Sequence, residues 1–185
     1  MNSRAKLLII SGLSGVGKGT IIKKYMEMYP DESVLSVSAT TRCPRPGEEE
    51  GKAYFFKSKL EFEEMIANGR LLEYACYVDN YYGTPKEWVY EQLSAGKNVI
   101  LEIEQQGALK VKEKEPAAVM VFVMPPSEEE LIRRLKGRGS ETGEQIRKRL
   151  KQAETEKEKI KFYDHVIVNE DIEKSAEMLH NIVKL

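Results

Sequence analysis

Several features that mark common classes of protein are scarce or missing in this sequence. Only two of its 185 residues are cysteines, Cys43 and Cys76, and their positions fit neither a metal site nor a redox motif. We therefore expect reduced thiols and a cytoplasmic protein. The net charge is only −1, which argues against a broad surface for nucleic acid or for an anionic membrane.

Long apolar runs are also missing. No stretch approaches the roughly 20 residues that span a bilayer, and the first residues lack the apolar core and cleavage site of a signal peptide. The two histidines, His165 and His180, have no partners at catalytic or metal-ligating spacing, so we expect both to be structural. With 41% hydrophobic residues and no repeat, the chain is expected to form one domain with a sizeable core.

The most informative stretch runs from residue 7 to residue 20 and reads LLIISGLSGVGKGT. Its four leading apolar residues predict a buried strand, and a helical pattern opens at Thr20. The glycines between them allow backbone N–H groups to converge on phosphate oxygens, and Lys18 would reach the β- and γ-phosphates. A plain strand-to-helix turn is the alternative, but strand, glycines, lysine and helix agree in order. We predict a phosphate-binding loop for ATP, made of Gly12, Leu13, Ser14, Gly15, Val16, Gly17, Lys18, Gly19 and Thr20.

A second predicted strand, over residues 98–104, ends in two carboxylates, Glu102 and Glu104. In a strand this spacing places both side chains on one face. An acidic strand end can support Mg²⁺ beside a phosphate-binding loop. Taken alone, exposed strand-end carboxylates explain the pair equally well, but the phosphate-binding loop favours the functional interpretation. Gly19 stands where such loops usually have a metal-binding Ser or Thr. We therefore expect Mg²⁺ to be held mainly by phosphates and water, with Thr20 or Glu102 nearby.

Two arginine-bearing segments are candidates for further phosphate contacts. Arg42 and Arg45 lie in a polar segment, residues 38–56, that otherwise reads as a solvated loop. Near a phosphate-binding loop, two guanidinium groups would bind a second phosphate through paired hydrogen bonds. A later charge-rich helix carries Arg147 and Arg149, and glycines flank an arginine just before it. Such a helix is usually only a solvated face, but here it suggests a mobile lid.

Capping signals and apolar periodicity predict the remaining elements. Ser58 and Glu61 form one predicted capping box, and Thr84 and Glu87 form a second, with Pro85 at the first helical position. The alternation of strands and helices predicts an α/β fold with a parallel sheet wrapped by helices, and with the phosphate-binding loop at the carboxyl end of its strand. Further strands are predicted over residues 34–37, 71–78, 117–124 and 165–168, and a closing helix over residues 172–185.

The motifs together resemble the guanylate kinase family. They are SGLSGVGKGT, SATTRCPRPGE with EGKAYFF, NYYGTP, LEIEQQGA, PPSEEEL with RRLKGRGSET, and VIVNED. They cover nearly the whole chain in order. The resemblance implies a bacterial-type, single-domain P-loop kinase that phosphorylates GMP with ATP and Mg²⁺. It also implies a core at about residues 1–37, 88–127 and 150–185, a GMP-binding region at about 38–87, and a helical lid at about 128–149.

The same resemblance implies roles for individual residues. A carboxylate at Glu73 can accept two N–H groups of guanine, and adenine would leave it unpaired. Glu104 stands where the family usually has Asp, and the extra methylene, about 1.5 Å, could alter GMP affinity. Lys18, Arg42, Arg138 and Arg149 are the implied catalytic residues. The implied GMP contacts are Ser38, Arg42, Arg45, Tyr54, Glu73, Tyr82, Thr84, Glu102 and Glu104, and the implied ATP contacts beyond the loop are Arg134, Arg138 and Asn169.

Other functions stay open at this point. A non-catalytic guanylate-kinase-like module would bind a phosphorylated protein through the same arginines, but such modules generally lose the lysine that this chain keeps as Lys18. A kinase for another nucleoside monophosphate is disfavoured only by the resemblance at Ser38, Glu73 and Thr84. A GTPase would need an Asn-Lys-x-Asp motif, which the sequence lacks. The sequence does not decide whether the protein is a monomer or a homo-oligomer.

Overall fold

A computed structural model describes residues 5–137 and 143–185, so the predicted catalytic residue Arg138 lies outside the described residues. The strands are β1 (Leu7–Gly12), β2 (Ser33–Leu35), β3 (Ala39–Thr40), β4 (Phe55–Phe56), β5 (Leu71–Tyr77), β6 (Asn80–Pro85), β7 (Asn98–Glu102), β8 (Val119–Met124) and β9 (His165–Val168). The helices are α1 (Lys18–Met28), α2 (Lys59–Ala67), α3 (Lys86–Ser94), α4 (Gln105–Lys114), α5 (Glu128–Gly137), α6 (Gly143–Lys157) and α7 (Ile172–Lys184).

Five parallel strands form the central sheet, in the order β2-β7-β1-β8-β9. This confirms the predicted parallel sheet wrapped by helices. Successive side chains of β1 point to opposite faces of the sheet and so pack in two different hydrophobic cores. Leu8 and Ile10 pack with residues of α1, α5, α6 and α7, whereas Leu7 and Ile9 pack with residues of α3 and α4. The phosphate-binding loop therefore leaves the sheet from a strand buried on both faces.

A second, smaller sheet is built from β4, β3, β6 and β5, in that order. It includes two short strands inside residues 38–56, a segment with the composition of a loop. Phe62 of α2 is fully buried beneath this sheet with Ala39 and Leu71. The small sheet joins the core through β5, where Leu72 belongs to the core cluster that contains residues of α3 and α4.

The capping box predicted at Ser58 is confirmed. The Ser58 hydroxyl accepts the backbone N–H of Glu61 at 3.2 Å, and the Glu61 carboxylate accepts the backbone N–H of Ser58 at 2.7 Å. The box predicted at Thr84 is wrong, since α3 begins after Pro85 without a side-chain cap. Thr84 instead belongs to β6 and is fully buried, so its hydroxyl faces the protein interior and not the helix end.

The strand predicted over residues 98–104 is shorter than expected. β7 ends at Glu102, and Glu104 is the N-cap residue of α4, whose carbonyl accepts the N–H of Ala108 at 2.9 Å. The two carboxylates therefore do not share one strand face. No helix in the described part of the chain has the length and apolar character needed to cross a membrane.

Candidate active site

The phosphate-binding loop joins β1 to α1 and depends on glycine at both ends. A Cβ on Gly12 would lie 2.2 Å from the carbonyl oxygen of Val123, so only glycine allows β1 to pass β8 this closely. Gly17 has a φ of 91°, in the left-handed region, and precedes the first residue of α1. The loop thus ends at a helix N-terminus, where unpaired N–H groups and the helix dipole favour an anion.

Lys18 is the first residue of α1, two residues before the predicted helix start. Its ammonium group donates to the carbonyl oxygens of Gly12 at 2.9 Å and Leu13 at 3.2 Å, which holds the charge over the loop. Burial of the carboxylate raises the pKa of Glu102, while the charge of Lys18 and the Gly19 N–H oppose the rise. Glu102 as a whole residue is exposed, so solvent reduces the size of this effect.

The Glu102 carboxylate lies close beside Gly19. A Cβ there would lie 3.3 Å from one Glu102 carboxylate oxygen and 3.5 Å from the other, so the carboxylate fills the space beside the loop. Thr20 and Glu102 line one small cleft with Lys18, and oxygen ligands of this kind suit Mg²⁺. Within residues 5–137 and 143–185, no three His, Cys, Asp or Glu side chains gather as a metal site. Thr20 and Glu102 fit Mg²⁺ as two oxygen-bearing side chains of one cleft, and an ion held mainly by phosphates stays a prediction.

Arg134 and Asn169 brace the back of the loop, which the sequence did not indicate. The Arg134 guanidinium donates to the carbonyl oxygens of Val16 at 3.0 Å and Asn169 at 2.8 Å, and to the Glu130 carboxylate at 2.7 Å. The buried Asn169 amide also donates to the Val16 carbonyl oxygen, at 2.7 Å, and its oxygen accepts from the Ser175 hydroxyl. These bonds tie the loop to α5 and α7. A contact of either residue with ATP stays a prediction.

Arg149 of α6 reaches the loop from the other side, where its guanidinium donates to the Ser14 hydroxyl. A cleft of about 740 Å³ opens beside this contact, with Lys18 on one wall and Tyr77 of β5 on another. Glu104 also lines this cleft. Arg147, by contrast, is exposed on α6.

Glu156 of α6 is a cleft residue that sequence reasoning missed. Burial raises the pKa of its carboxyl, and Lys18 and Glu104 are close enough to act on it electrostatically. The helical spacing offered a signal, because Glu156 follows the buried Ala153 by three residues on the same face.

Glu73 and Thr84 lie together where the small sheet meets the core. The Thr84 hydroxyl donates to a Glu73 carboxylate oxygen at 2.8 Å, and Glu73 is only 7% exposed. Burial raises the pKa of Glu73, while the hydrogen bond from Thr84 and the charges of Lys110 and Lys114 oppose that rise. One hydroxyl fills a small part of the acceptor capacity of a carboxylate, so the pair can take further N–H donors.

Arg42, Tyr54 and Tyr82 form a second group on the small sheet. The Arg42 guanidinium lies 5.3 Å from the centre of the Tyr54 ring. The rings of Tyr54 and Tyr82 meet in a T-shaped arrangement, with their centroids 6.1 Å apart. Glu48, which the sequence did not single out, accepts two hydrogen bonds from Arg42 at 2.8 and 2.9 Å and one from the Arg45 backbone N–H.

The other two predicted residues of this region are less constrained. The Arg45 side chain is exposed, and only its backbone is fixed by the hydrogen bond to Glu48. Ser38 precedes β3, and its carbonyl oxygen accepts the N–H of Phe55 at 2.9 Å. The structure thus brings many of the predicted residues that it describes into three groups, which are the phosphate-binding loop with its neighbours, the pair of Glu73 and Thr84, and Arg42 with Tyr54 and Tyr82.

The chain is similar to known proteins over nearly its whole length. The family model described as guanylate kinase matches residues 4–185. The guanylate kinase of Caldanaerobacter subterraneus subsp. tengcongensis is 51% identical over 177 residues, which are 96% of this chain and 85% of that protein. The guanylate kinase of Lactococcus lactis subsp. lactis is 50% identical over 184 residues, 100% of this chain and 89% of that one. The crystal structure of guanylate kinase from Anaplasma phagocytophilum matches with a TM-score of 0.75 and 38% identity, and covers 98% of this chain and 86% of that chain.

Proposed function

The chain belongs to the guanylate kinase family, and on this premise we propose that it transfers the γ-phosphoryl group of ATP to GMP, giving ADP and GDP. The observation that carries the proposal is the buried pair of Glu73 and Thr84. The N1–H and the exocyclic amine of guanine can both donate to the Glu73 carboxylate. Adenine offers no such pair of donors, so with AMP the buried Glu73 carboxylate would keep only its hydrogen bond from Thr84.

The phosphate of GMP is assigned to the arginines and tyrosines of the small sheet, with Ser38 beside them. Arg42 is held before any ligand binds, because Glu48 and the carbonyl oxygen of Cys43 accept its hydrogen bonds. A guanidinium already fixed over the Tyr54 ring loses little conformational freedom when it binds phosphate. Arg45 and Tyr82 would add to the same contact.

Transfer requires an oxygen of the GMP phosphate to lie in line with the γ-phosphorus of ATP while the charges of both nucleotides are neutralised. Lys18 and the loop would hold the ATP phosphates, with Arg134 and Asn169 fixing the back of the loop. Mg²⁺, when bound, would supply positive charge at the ATP phosphates, and Thr20 and Glu102, which line one cleft with Lys18, would support it. Arg138 and Arg149 would add positive charge where the phosphoryl group passes.

The proposed division into parts follows the same assignment. The core, at about residues 1–37, 88–127 and 150–185, would bind ATP, and the region at about 38–87 would bind GMP. The lid, at about residues 128–149, would close over both nucleotides, exclude water and so suppress hydrolysis of ATP.

A coupled assay of ADP release with ATP and Mg²⁺ tests the proposal, with GMP, AMP, CMP and UMP offered separately. We expect turnover with GMP alone. Turnover with another monophosphate would keep a kinase but overturn the reading of guanine by Glu73. Binding of ATP without turnover of any monophosphate would favour the non-catalytic module, and binding of a phosphopeptide would then be measured.

The role of Lys18 is tested in the same assay. Lys18→Ala should lower kcat by about 10²-fold or more, because it removes a charge that would lie at the transferring phosphate. Lys59→Ala is the matched control, since Lys59 is also the first residue of a helix but is exposed on α2. Unchanged turnover in a folded Lys18→Ala protein would remove Lys18 from the site.

A further inference from the structure

The backbone of α4 comes unusually close to the carboxylate of Glu73, at a position without a side chain. Gly107 is the third residue of α4. A Cβ built on it would lie 2.9 Å from a carboxylate oxygen of Glu73, 3.3 Å from its Cδ and 3.4 Å from its Cγ. Real Cβ atoms do not approach other atoms to 2.9 Å, so the present position of the carboxylate requires glycine at residue 107.

The backbone conformation gives no other reason for glycine at this site. Gly107 lies inside a helix and does not have the positive φ of Gly12 or Gly17. Alanine fits helical backbone and favours a helix more than glycine does. The chain therefore keeps a weaker helix former where the backbone of α4 passes the Glu73 carboxylate.

The opposite side of the carboxylate is also fixed. The Thr84 hydroxyl donates to the second carboxylate oxygen at 2.8 Å, and Thr84 is itself fully buried. The carboxylate thus lies between a hydroxyl donor on β6 and the bare Cα of Gly107 on α4. A methyl group on residue 107 would push the flexible end of Glu73 away and would spare the backbone of both elements.

We propose that Gly107 is a positioning residue for guanine recognition, which sets the place of the Glu73 carboxylate through the close approach of α4. This inference rests on the proposed function, because it concerns the same base-reading group. It assigns the residue a role in choosing the base and none in binding ATP, since the three atoms nearest to a Cβ on Gly107 all belong to Glu73.

Gly107→Ala tests the proposal in steady-state kinetics and in calorimetric titration with GMP. A displaced carboxylate loses at least one charge-assisted hydrogen bond to guanine, so kcat/KM for GMP and GMP affinity should fall about tenfold or more. The KM for ATP should stay within about twofold, because the loop is untouched. The preference for GMP over IMP, which lacks the exocyclic amine, should shrink, and Tm should not fall.

Two further variants test whether the effect of Gly107→Ala depends on Glu73 and on position 107. In a Glu73→Ala background, Gly107→Ala should cause no additional loss for GMP, because the group it positions is gone. Gln106→Ala, a change at the exposed neighbour on α4, should behave like the wild type.

The inference is overturned if Gly107→Ala keeps wild-type GMP affinity. It is also overturned if GMP and ATP suffer equally with a lower Tm, or if the loss persists in the Glu73→Ala background. A wild-type protein that turns over a monophosphate other than GMP contradicts the proposed function instead. In that case GMP titration still decides the role of Gly107, and a wild type that does not bind GMP refutes both.

Discussion

Replacing Asn169 with aspartate exchanges one buried N–H donor for an oxygen of nearly the same size. In the protein the Asn169 amide donates to the Val16 carbonyl oxygen at 2.7 Å, and the residue is 2% exposed. Asn169→Asp would place a carboxylate oxygen against that carbonyl oxygen. An uncompensated buried charge costs about 3–5 kcal/mol. The Arg134 guanidinium, 2.8 Å from the Asn169 carbonyl oxygen, offsets part of this charge. We therefore expect a loss near the lower end, about 3 kcal/mol.

Thermal unfolding measures this loss directly. For a domain of this size each kcal/mol lowers Tm by about 2–4 °C, so Asn169→Asp should lower Tm by about 6–12 °C. Acidification should shrink the deficit, because a protonated carboxyl can again donate to Val16, and burial raises the pKa of such a group. Asn181→Asp, at an exposed position of α7, is the control and should change Tm by less than about 3 °C.

The result also separates two roles for Asn169. If its side chain braces the loop, Tm falls and the KM for ATP rises together, since the loop loses its support. A variant with wild-type Tm and a raised KM for ATP would refute the brace and leave Asn169 as a contact of the nucleotide alone.

Two further predictions concern the guanine side of the cleft. Thr84→Val removes a hydrogen bond that stabilises the charged form of Glu73, so the pKa of Glu73 should rise further above its ordinary 4.5 and the acid limb of kcat/KM for GMP should move to higher pH. The phosphate of free GMP also titrates, at about pH 6, but it does so equally for the wild type and for Thr84→Val. An acid limb that does not move between the two proteins would therefore contradict the assignment of Glu73 to guanine binding. The raised pKa of Glu73 in the folded protein also means that its contribution to stability grows as pH falls through that pKa and is lost as pH rises. Glu104→Asp keeps the negative charge but moves it farther from Glu73, whose pKa that charge raises. The charged form of Glu73, which would bind guanine, is then favoured, so the KM for GMP should fall by about twofold. Identical KM values would remove Glu104 from GMP binding.

Local patterns predicted those parts of the molecule that depend on neighbouring residues. The phosphate-binding loop, α1 and the capping box at Ser58 each depend on signals within about ten residues, and the structure has all three. The continuous apolar runs at β1 and β8 also predicted buried strands, and the two pair in the parallel sheet. The two short strands within residues 38–56 had no such pattern, because β3 and β4 are held by pairing with each other and with β6.

The missed features depend on partners far apart in the sequence. Arg134 bonds to Val16 across 118 positions and Asn169 bonds to Val16 across 153, and no periodicity encodes such a pair. Thr84 shows how two local rules can compete, because its sequence fits a capping box while its place in β6 turns the hydroxyl toward Glu73. The Thr84 hydroxyl bonds to the buried Glu73 carboxylate and not to the end of α3. An unpaired polar group costs more free energy inside the protein than at an exposed helix end.

The buried Glu73 carboxylate connects base recognition with the stability of the folded protein, because the same burial that suits it to guanine also destabilises its charged form. A carboxylate in the interior prefers to be protonated, and the raised pKa of Glu73 means that Thr84, Lys110 and Lys114 only partly offset its burial. In the folded protein without ligand, the Glu73 carboxylate therefore has one side-chain donor, the Thr84 hydroxyl, and unused acceptor capacity. Guanine would bring two donors to it, so binding of the right base removes a cost that the wrong base leaves in place. Gly107 and Thr84 would then serve one purpose from opposite sides, since each fixes the carboxylate where a base can reach it.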